Sequence, residues 1–121
     1  MTKSKSLQIA RKFLDKKVNL KIDRPLGSKH PKYNFVYEVN YGFVPNTRSA
    51  DGEELDAYLL GIDKPVKEAE GRCIAIIHRI KDDDDKLIVI SNNKADISDK
   101  EINQMIHFQE QWFDYEIIRN N

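Results

Sequence analysis

The stretch Asp51-Gly52-Glu53-Glu54-Leu55-Asp56 runs directly into Ala57-Tyr58-Leu59-Leu60-Gly61. The first half crowds four acids into six residues, and the second half is almost entirely apolar. Carboxylates held so close raise each other's pKa unless a cation joins them. The stretch therefore predicts a hard-cation site at the start of a strand. The alternative is an Asp-Gly turn whose glutamates only contact solvent.

The residue types favour Mg²⁺ over Ca²⁺ at such a site. Mg²⁺ is held through about one or two carboxylates together with water and substrate phosphates, whereas Ca²⁺ takes about six to eight oxygens from a dedicated loop. The order of acids and glycine that forms an EF-hand loop does not occur in this sequence.

Length and composition predict one domain, residues 1–121, with balanced charge. The 121 residues are enough for one modest core, and 20 basic residues equal 20 acidic ones. Without net charge, attraction to nucleic acid or to an anionic membrane is not expected.

No apolar run is long enough to span a bilayer, and the first six residues lack the apolar segment of a signal peptide. Cys73 lies in an apolar run, which predicts a buried thiol and a cytoplasmic protein.

Hydrophobic periodicity predicts two helices and a series of strands. One amphipathic helix is predicted over 6–15 with Ser6 as its N-cap, and another over 99–113 after a capping box formed by Ser98 and Glu101. Strands are predicted at 18–22, across 33–44 with a break at Gly42, and at 55–62, 72–80 and 87–90. Residues 114–118 either add a short strand or cross the surface.

Two charged loops accompany the acidic stretch. Residues 26–32, which follow Pro25, combine glycine, proline and cationic or titratable groups, so this loop either grips phosphate oxygens or is an ordinary solvated loop. Residues 82–85 are four consecutive aspartates at a predicted hairpin tip. Because adjacent like charges repel and Gly or Asn would turn the chain more easily, a second group of metal-binding carboxylates explains this composition. A solvated acidic loop is the alternative.

The order of these parts resembles the soluble family of Mg²⁺-dependent inorganic pyrophosphatases. The motifs that carry the resemblance are Tyr37-Glu38-Val39-Asn40-Tyr41-Gly42-Phe43, Asp51-Gly52-Glu53-Glu54-Leu55-Asp56, the Asp82 to Lys86 run and His107-Phe108. A short bacterial subgroup is similar in further segments, namely Asp23-Arg24-Pro25-Leu26-Gly27-Ser28, Ile76-Ile77-His78-Arg79 and His107-Phe108-Gln109-Glu110-Gln111. The resemblance implies an α+β fold, a small OB-like barrel of mostly antiparallel strands with helices packed outside. It also implies a symmetric homo-oligomer.

The resemblance further implies hydrolysis of pyrophosphate, a small-molecule substrate, with two or more Mg²⁺ ions. The metal ligands fall on five acids: Asp51, Glu53, Asp56, Asp82 and Asp84. Catalytic roles in handling the water and the phosphate fall on Asp51, Glu53, Asp56 and Tyr41. The phosphate-binding cations fall on Arg24, Lys29 or Lys32, and Lys86. From the residue type alone, Tyr41 could equally be a core tyrosine with a polar tip.

Two departures from the family pattern bear on substrate choice. The glutamate of the first strand has no clear match, since Lys21 and Asp23 occupy its neighbourhood. The Tyr-Lys pair of the last helix is replaced by Trp112-Phe113, and losing a cation and a hydroxyl should weaken pyrophosphate binding or alter the substrate. Two alternatives therefore stay open: a metal-dependent phosphohydrolase for another phosphorylated metabolite, and a non-catalytic module that binds metal or polyphosphate. Single-strand nucleic-acid binding, suggested only by the fold, ranks last.

Overall fold

The computed structural model describes residues 5–47, 52–82, 84–91 and 96–119. These residues form two helices and six strands. In chain order they are α1 (Lys5–Arg11), β1 (Lys17–Arg24), β2 (Asn40–Val44), β3 (Leu55–Leu60), β4 (Glu68–Arg79), β5 (Asp84–Ser91), α2 (Asp99–Glu110) and β6 (Tyr115–Ile118). Within these ranges, no helix combines the length and the apolar character that crossing a membrane requires.

Five of the strands close into a barrel. β1 pairs with β2, β2 with β3, β3 with β5 and β5 with β4, and β4 returns to pair with β1. The β3–β5 pairing is parallel and the other four are antiparallel. β6 extends the sheet by pairing with the end of β4. The predicted α+β fold, an OB-like barrel of mostly antiparallel strands with helices outside, is therefore confirmed.

The residues of β3 divide alternately between two apolar clusters. Leu55, Ala57 and Leu59 belong to the cluster that includes residues of α1, whereas Tyr58 and Leu60 belong to the cluster that includes residues of α2. Successive side chains of a strand point to opposite faces of the sheet. Because each face of β3 meets its own core, the strand is buried on both sides, which explains its continuous apolar sequence.

The alternating sequence of β1 and the capping box of α2 behave as predicted. β1 alternates between exposed and buried side chains along its length. The hydroxyl of Ser98 accepts a hydrogen bond from the backbone N–H of Glu101, and the Glu101 carboxylate accepts one from the backbone N–H of Ser98. α2 ends at Glu110, so Trp112 and Phe113 lie in the turns that follow it rather than in its last turn.

Three local predictions are wrong. The first concerns Gly42, which lies inside β2 opposite Ile22 and does not break a strand. A Cβ at this position would collide with the carbonyl oxygen of Lys21, so glycine permits the close approach of β1 and β2. The second concerns the start of β4, which was predicted at residue 72 but lies at Glu68, because residues 68–71 pair with β1.

The third wrong prediction concerns Ser6. It lies within α1, buried, and its hydroxyl accepts a hydrogen bond from the backbone N–H of Asp85 at 3.0 Å. Ser6 therefore joins α1 to β5 and does not cap the helix. α1 ends at Arg11, and the chain then turns through Asp15, whose φ of 63° lies in the left-handed region.

Candidate active site

Strand register assembles a group of charged side chains at the edge of the barrel. In the parallel pair, Asp56 of β3 lies opposite Lys86 of β5. In the antiparallel hairpin, Arg79 of β4 lies opposite Asp84 of β5. Residues distant in the chain thus meet through the pairing of three neighbouring strands.

Lys86 forms the centre of this group. Its side chain is 4% exposed, and its Nζ donates hydrogen bonds to Asp56 Oδ2 at 3.2 Å and to Asp84 Oδ2 at 3.3 Å. The two carboxylates are far more open to solvent, with side chains 40% and 36% exposed. An ammonium group has three N–H donors, so Lys86 keeps a donor beyond these two bonds.

Tyr41 lies beside the Lys86 ammonium and the Asp56 carboxylate. The Nζ of Lys86 is 5.6 Å from the centre of the Tyr41 ring. Burial, and then the negative charge of Asp56, raise the pKa of the Tyr41 hydroxyl well above its ordinary value. The hydroxyl therefore keeps its proton at neutral pH and remains a hydrogen-bond donor. The structure thus brings Tyr41 together with two other predicted site residues.

Arg24 reaches the same region from the end of β1. It lies opposite Tyr41 in the β1–β2 pairing, and its Nη1 donates a hydrogen bond to the backbone carbonyl of Asp23 at 3.2 Å. Burial raises the pKa of Tyr37, and the charge of Arg24 partly opposes that rise. The neighbouring Asp23 has a raised carboxyl pKa, because burial outweighs the effect of Arg24 and the charge of Asp56 adds to the rise. Asp23 is a further acid of this region, to which the sequence analysis gave no role.

Arg79 is the site residue that the sequence analysis missed. Its Nη1 donates to Asp84 Oδ2 at 3.0 Å, and its Nε and Nη2 donate to the two oxygens of Glu110 at 2.9 and 2.8 Å. Burial opposes its charge, but the hydrogen bonds and charge of Glu110 outweigh burial and raise its pKa. The Phe113 ring covers the guanidinium at 3.7 Å. The sequence feature that points to Arg79 is a charged residue just after the apolar run 73–77.

Glu110 carries this network into the core beneath α2. Its side chain is fully buried, and its Oε2 also accepts a hydrogen bond from the Tyr58 hydroxyl at 2.6 Å. The Tyr58 hydroxyl in turn accepts one from Gln109 Nε2 at 2.7 Å. Burial, and then the charge of Glu110, raise the pKa of Tyr58 well above its ordinary value. Polar groups that would be costly to bury alone are thus hydrogen-bonded to one another.

The remaining predicted site residues are exposed or lie outside the described residues. Lys29 and Lys32 are exposed on the 26–32 loop, and within the described part of the chain neither side chain forms an ion pair. Glu53 is exposed before β3, and Asp82 is exposed in the β4–β5 turn. Asp51, the first predicted metal ligand, lies outside the described residues.

The predicted metal ligands come together only in part. Among residues 5–47, 52–82, 84–91 and 96–119, no group of three or more His, Cys, Asp and Glu side chains is arranged to hold a metal ion. Asp56 and Asp84 share one ammonium group, so their Oδ2 atoms face a common point. Carboxylate oxygens are the donors that Mg²⁺ takes, and these two fit that chemistry. The five-acid ligand set remains a prediction.

Fold and site together define a class of protein. A small OB-like barrel presents two partly exposed carboxylates beside the cations Lys86, Arg79 and Arg24. Mixed carboxylates and cations of this kind suit the binding of a phosphorylated anion with a hard metal ion.

Comparison with known proteins identifies the family. The inorganic pyrophosphatase family model matches residues 8–118, and the chain therefore belongs to that family. The predicted family is therefore confirmed, and the relatives named in these comparisons are inorganic pyrophosphatases.

Two relatives show how similar the sequences are. The chain is 36% identical over 90 residues to the inorganic pyrophosphatase of Saccharolobus solfataricus, covering 71% of this chain and 49% of that protein. The chain thus spans about half the length of this relative. It is 26% identical over 141 aligned positions to the inorganic pyrophosphatase of Rickettsia prowazekii, covering 90% of this chain and 82% of that protein.

Solved structures show the same fold. The inorganic pyrophosphatase of Ehrlichia chaffeensis is similar with a TM-score of 0.68 and 19% identity, covering 88% of this chain and 87% of that one. That of Thermus thermophilus is similar with a TM-score of 0.62 and 21% identity, covering 98% and 90%. At these identities the likeness extends to the fold alone.

Proposed function

We propose that this protein hydrolyses inorganic pyrophosphate to two phosphates and depends on Mg²⁺. The observation that carries the proposal is the Lys86 ammonium bonded to both Asp56 and Asp84 at the open edge of the barrel. Family membership supports the same reaction. We further propose one domain over residues 1–121, a homo-oligomer and a cytoplasmic location, as the family resemblance implies.

The substrate carries about four negative charges, which must be balanced before water can attack. In this proposal Lys86 and Arg24 contact the phosphate oxygens, and Lys29 or Lys32 of the 26–32 loop completes the set. Tyr41 donates its phenolic hydrogen to a phosphate oxygen, because its raised pKa keeps the hydroxyl protonated. Together the cations and the Tyr41 hydroxyl would hold the phosphate in place for attack by water.

The acids would hold the metal and handle the water. Asp56 and Asp84, which share the Lys86 ammonium, are two of the proposed metal ligands. Asp51, Glu53 and Asp82 complete the proposed set. When bound, Mg²⁺ supplies positive charge to the phosphate oxygens and makes water a better nucleophile at neutral pH. Asp56 orients the attacking water and accepts its proton, a role that Asp51 or Glu53 could share.

Phosphate release from pyrophosphate tests this function. The purified protein is assayed with Mg²⁺ and with a chelator, and compared with Asp56→Asn and Asp51→Asn. We expect metal-dependent release that falls by roughly 100-fold or more in each variant, since losing one electrostatic group of an active site costs about that much. Glu70→Gln is the matched control, because Glu70 is exposed and forms a surface ion pair with Lys17 at 3.5 Å. A folded wild type that releases no phosphate above background would exclude the proposal.

A second candidate is hydrolysis of another phosphorylated metabolite. The observation that favours it is the pair Trp112 and Phe113 after α2, where an indole and a phenyl ring take the place of a hydroxyl and a cation. A panel of phosphate esters and anhydrides, assayed with the same protein, separates the two candidates. Binding of Mg²⁺ and pyrophosphate without any turnover would instead support a non-catalytic binding module.

A further inference from the structure

A cavity of about 400 Å³ lies between the end of α2 and the β4–β5 turn. It is lined by Lys81, Asp82, Gln111, Trp112, Phe113 and Asp114. Cavities that bind small molecules commonly measure about 300–1,000 Å³, so this one is large enough for a ligand group.

The cavity adjoins the candidate active site through Phe113 and Arg79. Asp82 in its wall belongs to the predicted metal ligands, and the Phe113 ring in its wall covers the Arg79 guanidinium at 3.7 Å. The same guanidinium bonds Asp84, which bonds Lys86. A ligand that places phosphates at the Lys86 centre could therefore extend into the cavity.

The walls of the cavity suit a planar, uncharged group. Trp112 and Phe113 offer aromatic faces, and Trp112 is 63% exposed while its ring packs on Phe35 at 5.8 Å between centres. Two acids, Asp82 and Asp114, face one lysine in the lining, and Lys81 already pairs with Asp114 at 3.2 Å. The two carboxylates repel a phosphate, whereas their oxygens accept hydrogen bonds from an amino group.

We propose that the cavity binds the base of a nucleoside diphosphate whose phosphates occupy the candidate active site. The inference rests on the proposed phosphoanhydride hydrolysis and names a further substrate class for it. Aromatic faces stack on a base, while the Gln111 amide and the Asp114 carboxylate meet the polar edge of an amino-bearing base such as adenine.

The reaction follows the same course as with pyrophosphate. The oxygen of water forms a bond to the distal phosphorus, and the bond from that phosphorus to the bridging oxygen breaks. The bridging oxygen keeps the electron pair and leaves as part of the nucleoside monophosphate. The products are nucleoside monophosphate and inorganic phosphate, and the proton from water passes through a site carboxylate to solvent.

Trp112 provides a direct reading of base stacking, because it is the single tryptophan of the chain. ADP is added to the protein in the presence of Mg²⁺ while tryptophan fluorescence is recorded, with pyrophosphate and adenosine as separate ligands. We expect saturable quenching by ADP at concentrations where adenosine, which lacks the phosphates, has no effect. Pyrophosphate, which lacks the base, should compete with ADP but produce less quenching itself.

Variants test whether the indole selects the base. The ratio of kcat/KM for ADP to kcat/KM for pyrophosphate should fall by roughly 5- to 100-fold in Trp112→Ala, the range expected for loss of one stacked base. Trp112→Phe should retain most of the ratio, because it keeps an aromatic face. Tyr33→Ala is the control, since Tyr33 is equally exposed at 63% but lies outside the cavity lining. Calorimetry with ADP measures binding in the variants that lack tryptophan.

The outcomes separate this inference from the proposed function. Hydrolysis of pyrophosphate with neither quenching nor turnover of ADP overturns the inference and leaves the proposed function intact. Saturable quenching by ADP without phosphate release from either ligand supports the base site and excludes the proposed function. Tighter binding of a single-stranded oligonucleotide than of ADP would overturn the inference in favour of nucleic acid. If ADP does not quench the wild type and Trp112→Ala converts a dimer into a monomer, the inference is overturned in favour of a second copy of the chain.

Discussion

Lys86 shows how one buried cation can organise a site that is otherwise acidic. Its ammonium lies within 3.3 Å of an oxygen on both Asp56 and Asp84, with little contact with water. A cation in a partly desolvated place interacts more strongly with its neighbours than it would in water. The same charge opposes the binding of a metal ion to these carboxylates. Lys86 therefore attracts an anion and limits the affinity of these two carboxylates for a metal ion.

This double role leads to a prediction for Lys86→Gln. We expect hydrolysis of pyrophosphate to fall by roughly 100-fold, because an electrostatic contact to the phosphate is lost. We expect Mg²⁺ to bind several-fold more tightly, because a competing positive charge is removed. Enzyme kinetics and calorimetry with Mg²⁺ measure the two effects. Lys17→Gln, at an exposed ion pair on β1, is the control and should change neither.

A fall in both quantities would contradict this interpretation of Lys86. It would mean that the ammonium is needed to hold Asp56 and Asp84 in place as ligands. Thermal unfolding of Lys86→Gln then shows whether the change is local, since a large drop in Tm would point to a loss of structure around β5.

At the scale of elements, a buried ion pair joins α2 to the barrel. Glu110 at the end of α2 meets Arg79 on β4 through two hydrogen bonds, and it also accepts one from Tyr58 on β3. Apolar residues of α2 such as Ile102 and Ile106 pack against the same face. The apolar contacts drive the docking of the helix, whereas the ion pair fixes its end beside Asp84 and the cavity.

Removing one partner of this buried ion pair should lower the stability of the folded protein. We expect Glu110→Ala to lower the free energy of unfolding by about 3–5 kcal/mol, because the Arg79 charge stays buried without its main partner. Glu70→Ala on β4 removes an acid from an exposed pair and should cost less than about 1 kcal/mol. Urea titrations of both variants measure the difference. Equal small losses in the two would show that Arg79 finds other compensation when Glu110 is absent.

At the scale of the whole molecule, several titratable groups are buried in their neutral form. Burial raises the pKa of the Cys73 thiol from 9.0 to about 12, and the Tyr41 and Tyr58 hydroxyls are raised as well. In the unfolded chain these groups lose their protons at their ordinary pKa values, while the native protein keeps them bound. The raised pKa values therefore add to the free energy of unfolding fully below about pH 9, and this added stability is lost as the pH rises.

Alkaline titration tests this linkage. We expect the free energy of unfolding to fall from about pH 9 upward, with Cys73 alone contributing about 1.4 kcal/mol per pH unit until its native pKa of about 12. The tyrosines add to the slope above about pH 10. Urea titrations at a series of pH values, compared between wild type and Cys73→Ala, isolate the thiol. Identical slopes between pH 9 and 10 would show that the thiol does not contribute.

Local patterns in the sequence determined much of this protein. The alternation in β1, the capping box of α2, the buried apolar run of β4 and the buried setting of Cys73 each depend on neighbours within a few residues. Such features follow from the periods of strands and helices and from local hydrogen bonds. The family motifs, which also lie in short stretches, predicted the barrel.

The tertiary structure decided which of these residues meet. Asp56 and Lys86 are 30 positions apart, and Arg79 and Glu110 are 31 apart, so their contacts depend on how the barrel closes. The same closure turned Gly42 from a predicted break into a point of close strand contact. Strand periodicity assigns a side chain to a face of the sheet, but long-range pairing chooses its partner. A buried arginine such as Arg79 is stable only where that pairing supplies a carboxylate, and no local pattern contains this information.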